Sequence, residues 1–396
     1  MIYTQGNHKV LSRKYRPSRL CDLVGQDIVV DTISNAITLD RIHHAFLFTG
    51  TRGVGKTTSA RILALSLNCQ NENTPTTKPC LKCDSCIAIL NGNNPDVIEF
   101  DAASNTGVDS IRDLIEKCNF PPIVSRYKVY IIDEVHMLSK SAFNALLKTL
   151  EEPPEKIKFI FATTESRKVP VTVMSRCQKF FLKNITVGQI ASYLQRVCEN
   201  ENVSACEEIF NIIAKHADGS MRDALSLLDQ AISMSSDSKI QLDVVKKMLL
   251  LADKVAVASL FYNLYLGNIK ESLEILNQIF VDSDVNAIVS SLLEVICDAM
   301  QFLAKIEVDS IEAKEKFILL NNAELLDMPR LLRMWQVLTN SLPEMKFISP
   351  KNYFTSLFFK ICYCSNLPTP VEMLKLIDNQ NLQVALSHFP NSKIVK

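Results

Sequence analysis

Lys56 and Thr57 close the octapeptide GTRGVGKT, Gly50 to Thr57, in which three glycines precede a cation and a hydroxyl. Glycines let a backbone close tightly around an anion. Successive amide hydrogens then point inward, and a helix opening at the lysine adds the positive end of its dipole. In such a Walker A loop Lys56 reaches the β- and γ-phosphates and the Thr57 hydroxyl ligates magnesium. The expected ligands are therefore ATP and Mg2+, held by Gly50, Thr51, Arg52, Gly53, Val54, Gly55, Lys56, Thr57 and Thr58. The rest of a magnesium shell and a base are supplied by YIIDEVHM, Tyr130 to Met137, an apolar run ending in two carboxylates. Asp133 suits the metal and Glu134 suits polarising an attacking water. Alone, two acids after an apolar run would be only the solvated end of a strand; beside a phosphate loop they have a task.

A third chemical cluster lies in LNCQNENTPTTKPCLKCDSC, which contains Cys69, Cys80, Cys83 and Cys86. Four thiolates, three of them evenly spaced, can form a tetrahedral cage for Zn2+ with sulfur about 2.3 Å from the metal. Iron–sulfur ligation is compatible with the same spacing. A thioredoxin-like couple would place one CxxC at a helix start after a strand, whereas here two CxxC units share a cysteine. With four thiolates and no open position for water, the metal is expected to be structural, folding a knob too poor in apolar residues to fold unaided.

These residues need a scaffold. AFLFTG, DVIEFD, KVYIIDE, KFIFATT and QKFFL are short, almost wholly apolar and bounded by turn or charged residues, as buried strands are. Helical spacing intervenes in TTSARILALSLN and SAFNALLKTLEE, the second stopped by Pro153 and Pro154. Alternation of this kind predicts a parallel α/β sheet with helices on both faces. After Leu182 the strand signals cease. Three helices follow to about Met234, with Ser220 as the expected N-cap of the last, and then longer amphipathic helices such as NIKESLEILNQIF, NAIVSSLLEVICDAMQFLAKI and PRLLRMWQVLTNSL.

Composition sets limits. With 396 residues the chain exceeds one ordinary core, and 43 basic against 43 acidic side chains exclude a polybasic coat for nucleic acid. MIYTQGNHKV lacks a basic start followed by an apolar core, and the most apolar stretch, MLLLADKVAVASLFYNLYL, is broken by Asp253 and Lys254. A cytoplasmic protein without a membrane span is expected. Cys21, Cys118, Cys177, Cys198, Cys206, Cys297, Cys362 and Cys364 are then expected to be small, buried, reduced side chains.

Five segments together, RKYRPSRLCDLVGQ, GTRGVGKTT, IDEVHMLSKSAFNALLKTLEEPP, FATTESRKVPVTVMSRC and GSMRDALSLLDQA, resemble the γ/τ subunits of bacterial DNA polymerase III, clamp-loader ATPases of the AAA+ superfamily. The likeness runs from about Leu11 to Ala231 and is looser beyond. It implies an AAA+ domain over 1–184 with a zinc insert at about 69–90, a helical lid at 185–242, an all-helical oligomerisation collar at 243–367 and a tail of unassigned role at 368–396. It implies that Thr164 is a sensor of the γ-phosphate, that Arg176 in SRC is an arginine finger entering a neighbour's ATP site, and that Arg222 is a second sensor carried by the lid. An arginine in a helix's first turn is poorly placed for the dipole, which favours a phosphate partner for Arg222. Arg16, Pro17, Val24 and Gly25 match segments around adenine and ribose, and the family's insert cysteines match Cys69, Cys80, Cys83 and Cys86.

The resemblance further implies ATP-driven loading of the beta sliding clamp onto primed DNA, in a complex with delta, delta prime and further copies of the same chain. Ser104, Asn105 and Thr106, just before a helix, could meet DNA phosphate. Longer family forms carry additional domains for polymerase and helicase, contacts not expected of a chain reaching little past the collar. The rival expectations are another AAA+ DNA remodeller and a non-hydrolysing scaffold of the same assembly.

Overall fold

The computed structural model describes residues 10–104, 108–235, 239–249, 254–279, 285–304, 326–343, 347 and 349–365. Asn105 and Thr106, two of the expected DNA contacts, lie outside the described residues, as does the 368–396 segment. The chain divides into two compact units, residues 1–244 and 245–396.

In the first unit, the five expected strands form at β1 Ala45–Thr49, β2 Val97–Asp101, β3 Lys128–Asp133, β4 Ile157–Thr163 and β5 Gln178–Phe181. They lie in the order β2-β3-β4-β1-β5, every pair parallel. This is the parallel α/β sheet that the alternation of strands and helices predicted. Register fixes the chemistry: Thr49 lies opposite Thr163 and Phe181, and Asp101 opposite Asp133, so the strands end together at one carboxyl edge. Ligands in open α/β sheets collect at that edge.

The helices of this unit are α1 Leu11–Lys14, α2 Asp27–Thr38, α3 Lys56–Asn68, α4 Asp84–Asn91, α5 Val108–Cys118, α6 Lys140–Glu151, α7 Val171–Met174, α8 Val187–Asn200, α9 Glu207–His216 and α10 Met221–Met234, with α11 Leu242–Met248 at the boundary. The second half of α3 has no exposed face: Ile62, Leu63, Ala64, Leu65 and Leu67 are all buried, as befits a helix covered on every side there. α6 is amphipathic, capped by the Ser139 hydroxyl accepting from Ala142 N. Its Ala142, Phe143, Leu146 and Leu150 pack with Tyr130, Ile132, Phe159, Phe161 and Val173 in one apolar cluster. Phe159 and Phe161 stack at 6.0 Å between ring centroids. Each large side chain buried there contributes roughly 1.5–3 kcal/mol.

α8 to α10 make the small helical subdomain. α8 begins with a capping box, in which Thr186 and Gln189 satisfy each other's backbone amides. Ser220 caps α10 as expected, accepting from Asp223 N at 3.2 Å.

Among the described residues the second unit is all helical: α12 Lys254–Leu266, α13 Ile269–Ile279, α14 Val285–Leu303, α15 Met328–Ser341 and α16 Pro350–Ser365. Phe261, Leu264, Leu292, Ile296, Leu331, Phe354 and Phe358 share its core. α14 has the length and apolar composition of a membrane span, a candidate that the sequence had not suggested. Its Ile288, Val289, Leu292, Ile296 and Ala299 are buried in the unit's own core.

The scattered cysteines are not uniformly buried, contrary to expectation. Cys118, Cys177, Cys198 and Cys362 are buried, but Cys21 and Cys206 are exposed and Cys297 is half-buried. Cys21 sits in a short turn and Cys206 at the N-cap of α9, where the chain is at the surface.

Candidate functional site

The glycines of the phosphate loop take backbone conformations that other residues rarely adopt. Gly53 has φ +77, and a Cβ there would stand 1.8 Å from the Ser220 hydroxyl at the start of α10. The start of α10 thus rests directly on the loop, and Arg222 N donates to Gly53 O at 3.4 Å. A second tie runs from Thr51 Oγ1 to Asn184 Oδ1 at 2.7 Å. Val54 is buried, Thr58 half-buried in the first turn of α3, and Arg52 exposed.

Lys56 is only 5% exposed. Its ammonium donates to the loop carbonyls Gly50 O at 3.0 Å and Thr51 O at 2.7 Å. Burial pulls its pKa down, and the charges of Glu134 and Asp133 oppose that pull. A buried ammonium with only carbonyl partners is suited to exchange them for phosphate oxygens. One residue on, Thr57 Oγ1 donates to Asp133 Oδ2 at 2.6 Å. A hydroxyl and a carboxylate so close, at the mouth of a phosphate loop, form a donor set that fits Mg2+, an oxygen-seeking ion that takes few protein ligands beside phosphate.

Glu134 follows with a left-handed backbone, φ +46, which turns its side chain away from the line of β3. Its Oε2 accepts from Thr164 N at 3.3 Å and Thr164 Oγ1 at 3.1 Å. Thr164 is thus hydrogen-bonded to the candidate base. His136, which the sequence displayed in YIIDEVHM without indicating a role, lies between three of these groups. Its Nδ1 is 2.9 Å from Thr163 Oγ1 and 3.3 Å from Glu134 Oε2, and its Nε2 is 3.5 Å from Glu165 Oε1.

Arg16, Pro17, Val24 and Gly25 come together, lining a cavity of about 640 Å³ with Tyr193 of α8 and Leu81. Arg16 and Pro17 also border a second cavity, of about 560 Å³, shared with Arg61 and Arg222. Burial makes the charge on Arg16 costly, and the guanidinium groups of Arg61 and Arg222 add to that cost, so its pKa is lowered. An anionic ligand would relieve it. Gln26, quoted in VGQ but not singled out, is buried and grips the strand-to-lid connection: its amide donates to Lys183 O at 2.8 Å and accepts from Lys183 N at 3.1 Å.

Arg176 stands apart from this set. Its Nη1 donates to Thr172 O at 2.6 Å and to Ser175 Oγ at 3.4 Å, and its Nη2 to a Glu151 carboxylate oxygen. None of these partners belongs to the phosphate loop.

Around the cysteines, α3 ends where Arg126 donates to Leu67 O at 2.7 Å, a carbonyl that the helix end leaves open, and to Glu72 O of the following loop at 2.6 Å. That fixes Cys69, the first residue beyond. The sulfurs of Cys69, Cys80, Cys83 and Cys86 all lie within 4.8 Å of one another, close to the edge of about 3.8 Å that a tetrahedral zinc–thiolate centre requires. Backbone amides point at them. Lys82 N and Cys83 N donate to Cys80 Sγ at 3.4 and 3.3 Å, and Cys80 N to Cys69 Sγ at 3.4 Å. Leu81, at φ +61, makes the turn that aims them. Those two amides pull the Cys80 thiol down to about 6, so it is readily a thiolate, whereas burial pushes Cys86 up. Four sulfurs this close together, with backbone amides directed at them, fit a tetrathiolate metal. The insert also borders both cavities, through Leu81 in one and Ile89 and Leu90 of α4 in the other.

Comparison with known proteins comes to the same place. Residues 25–186 match a family model described as DNA polymerase III, delta subunit; residues 189–237 match the ATPase lid domain of the DNA polymerase III clamp loader subunit; residues 240–377 match domain III of DNA polymerase III subunits gamma and tau. DNA polymerase III subunit tau of Bacillus subtilis is 41% identical over 367 residues, 91% of this chain and 64% of that protein. The subunit tau of Escherichia coli K12 is 46% identical over 272 residues, 69% of this chain and 42% of that protein. The subunit gamma of Buchnera aphidicola from Acyrthosiphon pisum is 50% identical over 230 residues, 58% of this chain and 63% of that protein. The chain spans less than two thirds of the length of each.

Proposed function

The chain belongs to the DNA polymerase III gamma/tau family, and from that premise we propose that it is an ATP-hydrolysing motor subunit of a bacterial sliding-clamp loader. The observation that carries this is the contact of Thr57 with Asp133 at 2.6 Å, beside a buried Lys56 and a Glu134 tied to Thr164. A scaffold without turnover has no need of all four.

Gly50 to Thr58 hold the triphosphate, with Arg16, Pro17, Val24 and Gly25 around adenine and ribose. Thr57 and Asp133 would hold magnesium, which would supply charge neutralisation at the phosphates. Lys56 trades its loop carbonyls for phosphate oxygens. Glu134 orients the attacking water and accepts its proton, while Thr164 couples the position of that carboxylate to the γ-phosphate. Arg222 approaches from the lid and Arg176 from the neighbouring subunit, where a guanidinium placed in trans can raise turnover by roughly 10³-fold or more. ATP binding favours an assembled state and hydrolysis releases it, so the energy goes into differential binding.

The working parts are an AAA+ domain over 1–184, a lid over 185–242 and a collar over 243–367. The cysteine centre holds Zn2+ for structure alone. The partners are delta, delta prime, further copies of this chain, the beta clamp and primed DNA, and the setting is the cytoplasm. ATP turnover by the reconstituted complex, with and without clamp and primed DNA, tests this. Joint stimulation by both, abolished in Lys56→Ala, is expected; turnover raised by DNA but indifferent to the clamp would overturn it in favour of another remodeller, and none at all in favour of a scaffold.

A further inference from the structure

The guanidinium of Arg176 is held by its own chain from two directions, and we infer that Glu151 is the residue that positions it for the neighbouring subunit's ATP. The inference rests on the finger role proposed above. A guanidinium carries five N–H donors. Three are engaged here: Nη1 with Thr172 O at 2.6 Å and Ser175 Oγ at 3.4 Å, and one Nη2–H with the Glu151 carboxylate. Nε–H and the second Nη2–H remain for phosphate. A side chain with several rotatable bonds reaches a defined point only if its head is fixed, and a misplacement of about 1 Å in a catalytic group can cost on the order of 10²-fold.

The anchor is itself rigid. Glu151 is the last residue of α6, whose Phe143, Leu146 and Leu150 are packed in the same apolar cluster as Val173 and Cys177 on either side of the arginine. The far end of α6 begins at Ser139, a few residues beyond Glu134. One helix therefore joins the acid pair of a subunit's own site to the finger it extends to the next. An acid at a helix C-terminus is disfavoured by the dipole, and the arginine offsets that penalty. Little fold stability is at stake, because the pair is surface-exposed, 33% for Arg176 and 51% for Glu151, and such pairs contribute little. A change at Glu151 should therefore alter the finger and spare the fold.

The test is steady-state ATP hydrolysis by the assembled clamp-loader complex, with kcat and KM for ATP measured separately. Glu151→Gln is expected to lower kcat about tenfold with KM and thermal midpoint unchanged, and Glu151→Asp to recover part of the loss. Combined with Arg176→Ala, Glu151→Gln should add no further loss, since there is no longer a finger to place. Full turnover in Glu151→Gln, or losses that multiply in the double variant, would overturn the positioning role while leaving the finger in place. Normal turnover in Arg176→Ala would overturn the finger itself and the positioning role with it.

Discussion

Thr57 and Asp133, 76 positions apart in sequence, are joined by a 2.6 Å hydrogen bond from hydroxyl to carboxylate. One opens α3 behind the phosphate loop and the other ends β3, and the parallel register across β4 places those two chain ends side by side. Both present oxygen atoms that fit one cation.

Removing either ligand should separate chemistry from binding. Asp133→Asn is expected to lower kcat for ATP by on the order of 10²-fold, the scale seen when one charge-stabilising group is lost. Equilibrium binding of a nucleotide should survive, measured by titration with a fluorescent ATP analogue. Lys56→Ala should lose that binding too.

The close approach of loop and lid makes Gly53 intolerant of a side chain. Gly53→Ala would force a Cβ to within 1.8 Å of the Ser220 hydroxyl at φ +77. A cost of about 1–3 kcal/mol is expected, seen as a lowered thermal midpoint together with weakened nucleotide binding. An unchanged midpoint would show that lid and loop are not in contact in solution.

Metal removal should act on stability before chemistry. Zinc analysis of the purified protein is expected to give one ion per chain, and chelation should open the 69–90 insert to protease and lower the thermal midpoint. Cys69→Ser should do the same without chelator. A midpoint indifferent to chelation would mean that the four thiols close together without a cation.

Asp96 is fully buried and accepts from Ile123 N, Val124 N and Ser125 N at 2.8, 2.7 and 2.7 Å. Asp96→Asn would set an amide donor against amide donors. Chemical denaturation should show a loss of about 3 kcal/mol, the range for breaking charged hydrogen bonds in a buried place.

The strands and the phosphate loop were legible because each is specified locally, by a short apolar run or by glycines at fixed spacing. The four cysteines were legible for the same reason. α12 lies in the stretch expected to be helical and buries one face, Val257, Leu260, Phe261, Leu264 and Tyr265, at helical spacing; its bounds were not legible because Val255, Ala256, Ala258 and Tyr262 make the remaining faces apolar too, which blurs the stripe. α4 is only eight residues long and its start is set by the Cys83 N-cap. Contacts such as Gly53 with Ser220, Gln26 with Lys183 and Arg176 with Glu151 depend on topology, and no local pattern announces them. The exposure of Cys21 and Cys206 belongs with these, since composition says what a thiol prefers and only the fold says where it lies.

A composite catalytic site is settled by comparing ATP hydrolysis in the isolated chain and in the full complex, as the fraction of subunits bearing Arg176→Ala is raised. Slow turnover by the isolated chain, fast turnover on assembly, and a decline that follows the dose of altered subunits are expected. Equal rates for single chains and complexes, untouched by Arg176→Ala, would contradict a site completed by its neighbour.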